Sequence, residues 1–127
     1  MHLAFIRTRG QAALDAPSVT AEIHLSAGLP GFQVVGLSDT ACRAMRGRIR
    51  SAIISSHLKW PDYHITVNLA PAESLQQSAR YDLPVALGLL IASQQLPKAI
   101  AHSREFFGKL GLDGSIRQCR GLLSAVV

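Results

Sequence analysis

Ten consecutive residues, Leu83 to Ala92, carry no polar side chain. A membrane span needs roughly 20 apolar residues, so this run is too short to cross a bilayer and must be buried inside protein. Asp82 stands before it as a candidate N-cap. Pro84 falls in the first turn, where the missing N–H costs nothing. The pattern predicts a central helix at about residues 82–94, apolar almost all round. Gly88 in its middle predicts a close backbone approach, since glycine otherwise costs a helix ~1 kcal/mol relative to alanine.

A helix of this kind needs apolar sheet to cover it, and the flanking segments supply period-2 alternation. Residues 3–8, 18–25, 32–35 and 63–69 read as strands. The Gly28-Leu29-Pro30-Gly31 turn lies between the second and third, and the first three strands predict an antiparallel meander. A second helix is expected from Ser38 or Asp39 to before Pro61, with Ala41, Met45, Ile49, Ala52 and Ile53 facing the core. Residues 106–112 and 115–119 read as a hairpin around Asp113-Gly114. Gly121 to Val127 resembles the first turns of a further helix. The whole predicts one α/β domain over residues 1–127. The apolar ending, Leu122-Leu-Ser-Ala-Val-Val127, predicts a piece of a longer protein.

Charge narrows the partners. The net charge is +5 with histidine neutral, which favours anionic partners. Arg43, Arg46 and Arg50 lie within about 60° of one another on a helical projection, opposite the apolar stripe. Arg48 lies to the side, and Ile54 interrupts the basic face. His57 and Lys59 extend the charge beyond it. Arginines here can neutralise phosphates and release counterions, can meet acidic residues of a neighbouring subunit, or can be a solvated surface. No aromatic residue falls between them in sequence, so a stacking platform is not expected.

Metal and phosphate sites are not expected either. The histidines (His2, His24, His57, His64, His102) lack ligand spacing, and Cys42 and Cys119 form no Cys-x-x-Cys. Two scattered thiols fit a reducing cytosol, and no leader is visible at the start. No Gly-x-x-x-x-Gly-Lys-Ser/Thr loop and no Gly-x-Ser-x-Gly elbow occurs.

Four segments carry a resemblance. Glu22-Ile-His-Leu-Ser-Ala-Gly-Leu-Pro-Gly-Phe-Gln-Val-Val-Gly-Leu37, Ile65-Thr-Val-Asn-Leu-Ala-Pro-Ala72, Arg80-Tyr-Asp-Leu-Pro-Val-Ala-Leu-Gly88 and Gly108-Lys-Leu-Gly-Leu-Asp-Gly114 resemble the amino-terminal region of the ComM/YifB family of magnesium-chelatase-like AAA+ ATPases. The resemblance implies a ribosomal protein S5 domain 2-like fold, as in the Lon protease domain. It implies an AAA+ motor and a carboxy-terminal domain downstream, where ATP and Mg²⁺ would bind. It also implies a cytoplasmic hexameric ring acting on DNA in branch migration during natural transformation, and no porphyrin chemistry. The segment Leu75-Gln-Gln-Ser-Ala79 departs from the family, whose members usually carry Pro-Lys-Glu-Gly-Ser there.

Lon-type peptidases pair a serine nucleophile with a lysine base. Aligned by resemblance, those positions fall on Arg80 and Leu123. An always-protonated guanidinium and an alkyl group can do neither job. Ser78 would need another base, such as Lys109 or His64, and His64 on a strand reads as an edge or surface residue. Glu73 with Asp82 is a weaker acid/base pair, because Asp82 suits a cap. Arg80 reads as an ion-pair partner of Asp82 or Glu73, or as a DNA contact. The expected DNA-binding set is therefore Arg43, Arg46, Arg50, Lys59 and Arg80, with no catalytic residue, cofactor or metal in this chain. The competing readings are a degenerate peptidase or chaperone-type module for protein substrates, and a purely structural oligomerisation domain.

Overall fold

The computed structural model describes residues 2–9, 18–70, 78–102, 104–106 and 108–117. Alternation is realised as strands: β1 (His2–Arg9), β2 (Ser18–Ser26), β3 (Gly31–Val34) and β4 (His64–Ala70). They form a four-stranded mixed sheet in the order β1-β2-β4-β3. Helices α1 (Asp39–Ser55) and α2 (Asp82–Ala92) pack on one face. That face presents Ala4 and Ile6, Ala21, Ile23 and Leu25, Ile65, Val67 and Leu69, and Val34, all buried. Leu3, Phe5 and Val35 are exposed. The chain is an α/β domain.

The expected meander is corrected. β1 and β2 are antiparallel, but β3 pairs in parallel with β4, which lies between β2 and β3. A parallel pair needs a crossover, and α1 is that crossover. The four residues of β3 suit an edge, whereas β4 has seven, paired along their whole length with β2 and over His64–Val67 with β3. His64 opens β4 and is half-buried between its two neighbours, not on an edge strand.

α1 starts where the sequence points. Ser38 is the N-cap, its Oγ accepting the Ala41 N–H at 3.2 Å, and Asp39 complements the helix dipole in the first turn. The buried stripe is Cys42, Met45, Ile49, Ala52 and Ile53. Ala41 is only half-buried, one position from the stripe. The helix stops at Ser55, before Pro61 as expected. The Leu58 N–H reaches the Ile53 carbonyl and the His57 N–H the Ile54 carbonyl, with His57 at φ 63°. This is a Schellman ending with histidine in the place glycine usually takes.

α2 lies against β1, β2 and α1. Gly88 makes the predicted close approach: a Cβ there would run into Ile23, meeting its Cγ1 at 2.8 Å. The Asp82 expectation is corrected. The N-cap position belongs to Tyr81, with no side-chain cap bond, and Asp82 is the first helical residue, wholly buried. The hairpin at Asp113-Gly114 forms as β5 (Lys109–Leu110) and β6 (Ile116–Arg117), far shorter than expected. Phe106 does not join it; its N–H bonds the Arg7 carbonyl of β1. Gly114 has φ 90°, and a Cβ there would lie 2.6 Å from Ser56 Oγ. The Leu112 carbonyl accepts from Ser51 Oγ at 2.8 Å and Ser55 Oγ at 3.0 Å, fixing the hairpin against the end of α1. The expected helix at 121–127, Cys119, Glu73, Leu123 and residues 75–77 of the atypical Leu75–Ala79 segment lie outside the described residues.

Candidate nucleic-acid interface

α1 sorts its arginines by face. Arg43, Arg46 and Arg50 are exposed, and so is Lys59 just beyond the helix. Arg48 does different work. Its Nε donates to Asp82 Oδ2 at 2.7 Å and its Nη2 to Oδ1 at 3.1 Å. This two-point geometry is the strong form of an arginine–carboxylate pair. It clamps α1 to α2 around a carboxylate that is 0% exposed. Spacing alone could not reveal this, because a partner 34 residues away is set by the fold.

Lys59 is held by its backbone: Gln95 Oε1 accepts its N–H at 2.8 Å and Gln95 Nε2 donates to its carbonyl at 2.6 Å. The ammonium is thus carried on an anchored loop beside the helix end.

The fold also supplies aromatics that the linear sequence keeps apart from the arginines. The Arg46 guanidinium carbon sits 5.5 Å from the centre of the Trp60 ring, within cation–π range. Phe32 of β3 meets Trp60 at 6.0 Å. An open depression of about 450 Å³ lies between β3 and the start of α1; its lining includes Phe32, Leu37, Asp39, Cys42, Arg43 and His64. No aromatic residue falls between the arginines in sequence, yet the fold sets Trp60, backed by Phe32, beside Arg46. Crossing from β3 through α1 to β4 brings residues 32, 46 and 60 together.

Arg80 is 2% exposed. It lies in a short 3-10 turn, Ser78–Tyr81, immediately before α2. Buried there, it is not part of the exposed basic face, which corrects its inclusion among the DNA contacts. The Cys42 thiol is also buried, with Val34 N–H donating to Sγ at 3.4 Å. Among the described residues, no group of three or more His, Cys, Asp or Glu side chains could hold a metal ion. Among them, too, no helix is long and apolar enough to cross a membrane.

The same chain has clear relatives. The family profile described as Subunit ChlI of Mg-chelatase matches residues 21–127. YifB of Salmonella typhimurium is 44% identical over 125 residues, covering 98% of this chain and 25% of that protein. Competence protein ComM of Haemophilus influenzae is 41% identical over 127 residues, covering 100% of this chain and 25% of that protein. A Mycobacterium tuberculosis relative, Rv2897c, is 36% identical over 114 residues, 90% of this chain and 23% of that protein. The chain belongs to the ChlI-like family of magnesium-chelatase-type proteins that includes YifB and ComM. It spans about a quarter of the length of these relatives.

Proposed function

We propose that this chain is a non-proteolytic domain of a ComM-like AAA+ ATPase and that it contacts DNA through the exposed face of α1. The observation that carries the reading is the segregation of α1's arginines. Arg48 is committed to an internal ion pair, while Arg43, Arg46 and Arg50 remain on the outer face. The net charge of +5 supports an anionic partner. In this reading the motor that binds ATP and Mg²⁺ lies in the part of the protein this chain does not span. The full protein forms a cytoplasmic homo-oligomeric ring, a hexamer, acting in branch migration during natural transformation and recombination. One face of a mixed sheet covered by two helices supports an S5 domain 2-like fold. Arg80 at the position aligned with a nucleophile supports a domain without peptidase activity.

Ring assembly through the same face is the second reading, because exposed arginines also suit a neighbouring subunit's carboxylates. Fluorescence anisotropy of the chain with labelled DNA separates the two. The DNA reading predicts sequence-independent binding with Kd of order 10⁻⁴–10⁻⁶ M near physiological salt, weakening linearly on a log–log salt plot. Absence of binding, together with a concentration-dependent rise in mass by light scattering, would favour assembly instead.

A further inference from the structure

The two edges of the sheet are β1 and β3, and they lie at opposite ends of the strand order. α1 and its arginines are on the β3 side. The β1 edge has its own character. Its C-terminal half is already capped by the chain itself. Glu105 bridges Arg7 in parallel, the Phe106 N–H bonds the Arg7 carbonyl at 2.9 Å, and Arg9 grips Glu105 at 2.9 Å. The Arg7 carbonyl therefore points away from β2. Backbone direction alternates along a strand of an antiparallel pair, so the N–H and C=O groups of Leu3 and Phe5 point outward as well. Among the described residues, no backbone group meets them.

This open stretch borders a groove. A cavity of about 300 Å³ runs beside Leu3, Ala4 and Phe5, with Ile91 of α2 behind it and Lys98 and His102 in its lining. A second of about 630 Å³ shares Leu3, Ile91 and Lys98 and extends toward His2 and Leu96. Among the described residues that line the two cavities none is acidic, whereas His2, Lys98 and His102 are present. Leu3 and Phe5 are 48% and 56% exposed. An edge with unpaired backbone groups and exposed apolar side chains is a template for another strand.

We propose that the β1 edge from Leu3 to Phe5 is a docking site for an extended, acidic segment of a partner protein, bound by strand addition. The occupant continues the pairing that Glu105 and Phe106 begin at Arg7. Backbone hydrogen bonds to Leu3 and Phe5 give affinity, apolar side chains at alternate positions fill the groove beside Ile91, and a carboxylate meets Lys98. The site is separate from the α1 face and does not depend on DNA binding.

The test is an NMR titration of this 127-residue chain with a short capped peptide of alternating valine and aspartate, against its valine–lysine counterpart. The Leu3 and Phe5 amides are expected to shift saturably and to exchange more slowly with the aspartate peptide, and the lysine peptide is expected to bind less well. Leu3→Pro removes an outward N–H without touching the β1–β2 ladder, as an edge strand tolerates, and should weaken binding roughly fivefold, the worth of one net hydrogen bond. Lys98→Glu alters the groove without altering the strand and should reverse the preference between the peptides. No saturable shift at Leu3 and Phe5 at millimolar peptide would overturn the proposal, and so would equal binding of both peptides. A dimer seen by light scattering and abolished by Phe5→Pro would also overturn it, by making a second copy the occupant.

Discussion

The two helices of this domain face opposite demands. α2 is apolar on nearly every side and is enclosed by β1, β2 and α1; even its acidic residue, Asp82, is shut away from water. α1 buries one stripe and exposes arginines on the opposite side. The difference separates what holds the fold from what the fold can offer a partner. Changes in α2 should register as stability, and changes on the outer face of α1 should register as binding. Arg48 is the exception that joins the two helices, because it belongs to α1 by sequence and to the buried carboxylate of α2 by contact.

The comparison breaks most easily at the centre of α2. Leu89 is 0% exposed, and Leu89→Ala should destabilise the domain by about 2–5 kcal/mol, read from a urea titration. Leu87, a helical half-turn away and only half-buried, should cost clearly less. Equal losses at the two positions would contradict the packing of α2. Asp82→Ala removes the partner of Arg48 and should cost about 1–3 kcal/mol by the same titration. That is below the usual figure for a broken buried pair, because the Arg48 side chain keeps 29% of its exposure. Gly88→Ala forces a methyl group against Ile23 and should cost about 1–3 kcal/mol as overpacking. At the ends of α1 the effects shrink and one changes sign. Ser38→Ala should cost ~1 kcal/mol through the missing cap. His57→Gly should stabilise the domain by up to ~1 kcal/mol, because glycine accepts a positive φ without the penalty, and a small rise in thermal midpoint would show it.

Much of this is legible in the chain. The alternation of β2 and β4 and the apolar run of α2 mark their elements without ambiguity, since no exposed arrangement could accommodate them. Ser38 and Gly88 are readable because each answers a local constraint, a cap and a close approach. What does not show is whatever depends on distance. Sequence neighbours imply a meander, and only the pairing of β3 with β4 reveals that the third strand skips a place. Asp82 resembles a cap because the residue type and position fit one, and a guanidinium 34 residues earlier decides otherwise. The basic face of α1 is visible by periodicity, but the approach of Trp60 and Phe32 to Arg46 is not, as it arises from the crossover. Arg80 draws attention because the family resemblance aligns it with the serine of Lon-type peptidases, and its burial cannot be read from its neighbours in sequence.

In the proposed reading the outer face of α1 contacts DNA, while Arg48 on its other side serves the fold. The direct measurement is DNA-binding anisotropy over a salt series for the parent chain and for the Arg43→Gln, Arg46→Gln, Arg50→Gln triple variant. Glutamine keeps helix propensity, so the variant should unfold within about 1 kcal/mol of the parent, the margin set by the lost Arg46–Trp60 contact. Binding by the variant should be weaker, with a salt slope shallower by up to about one counterion for each phosphate that is no longer neutralised. Parent-like affinity with an unchanged slope in a folded triple variant would contradict that reading.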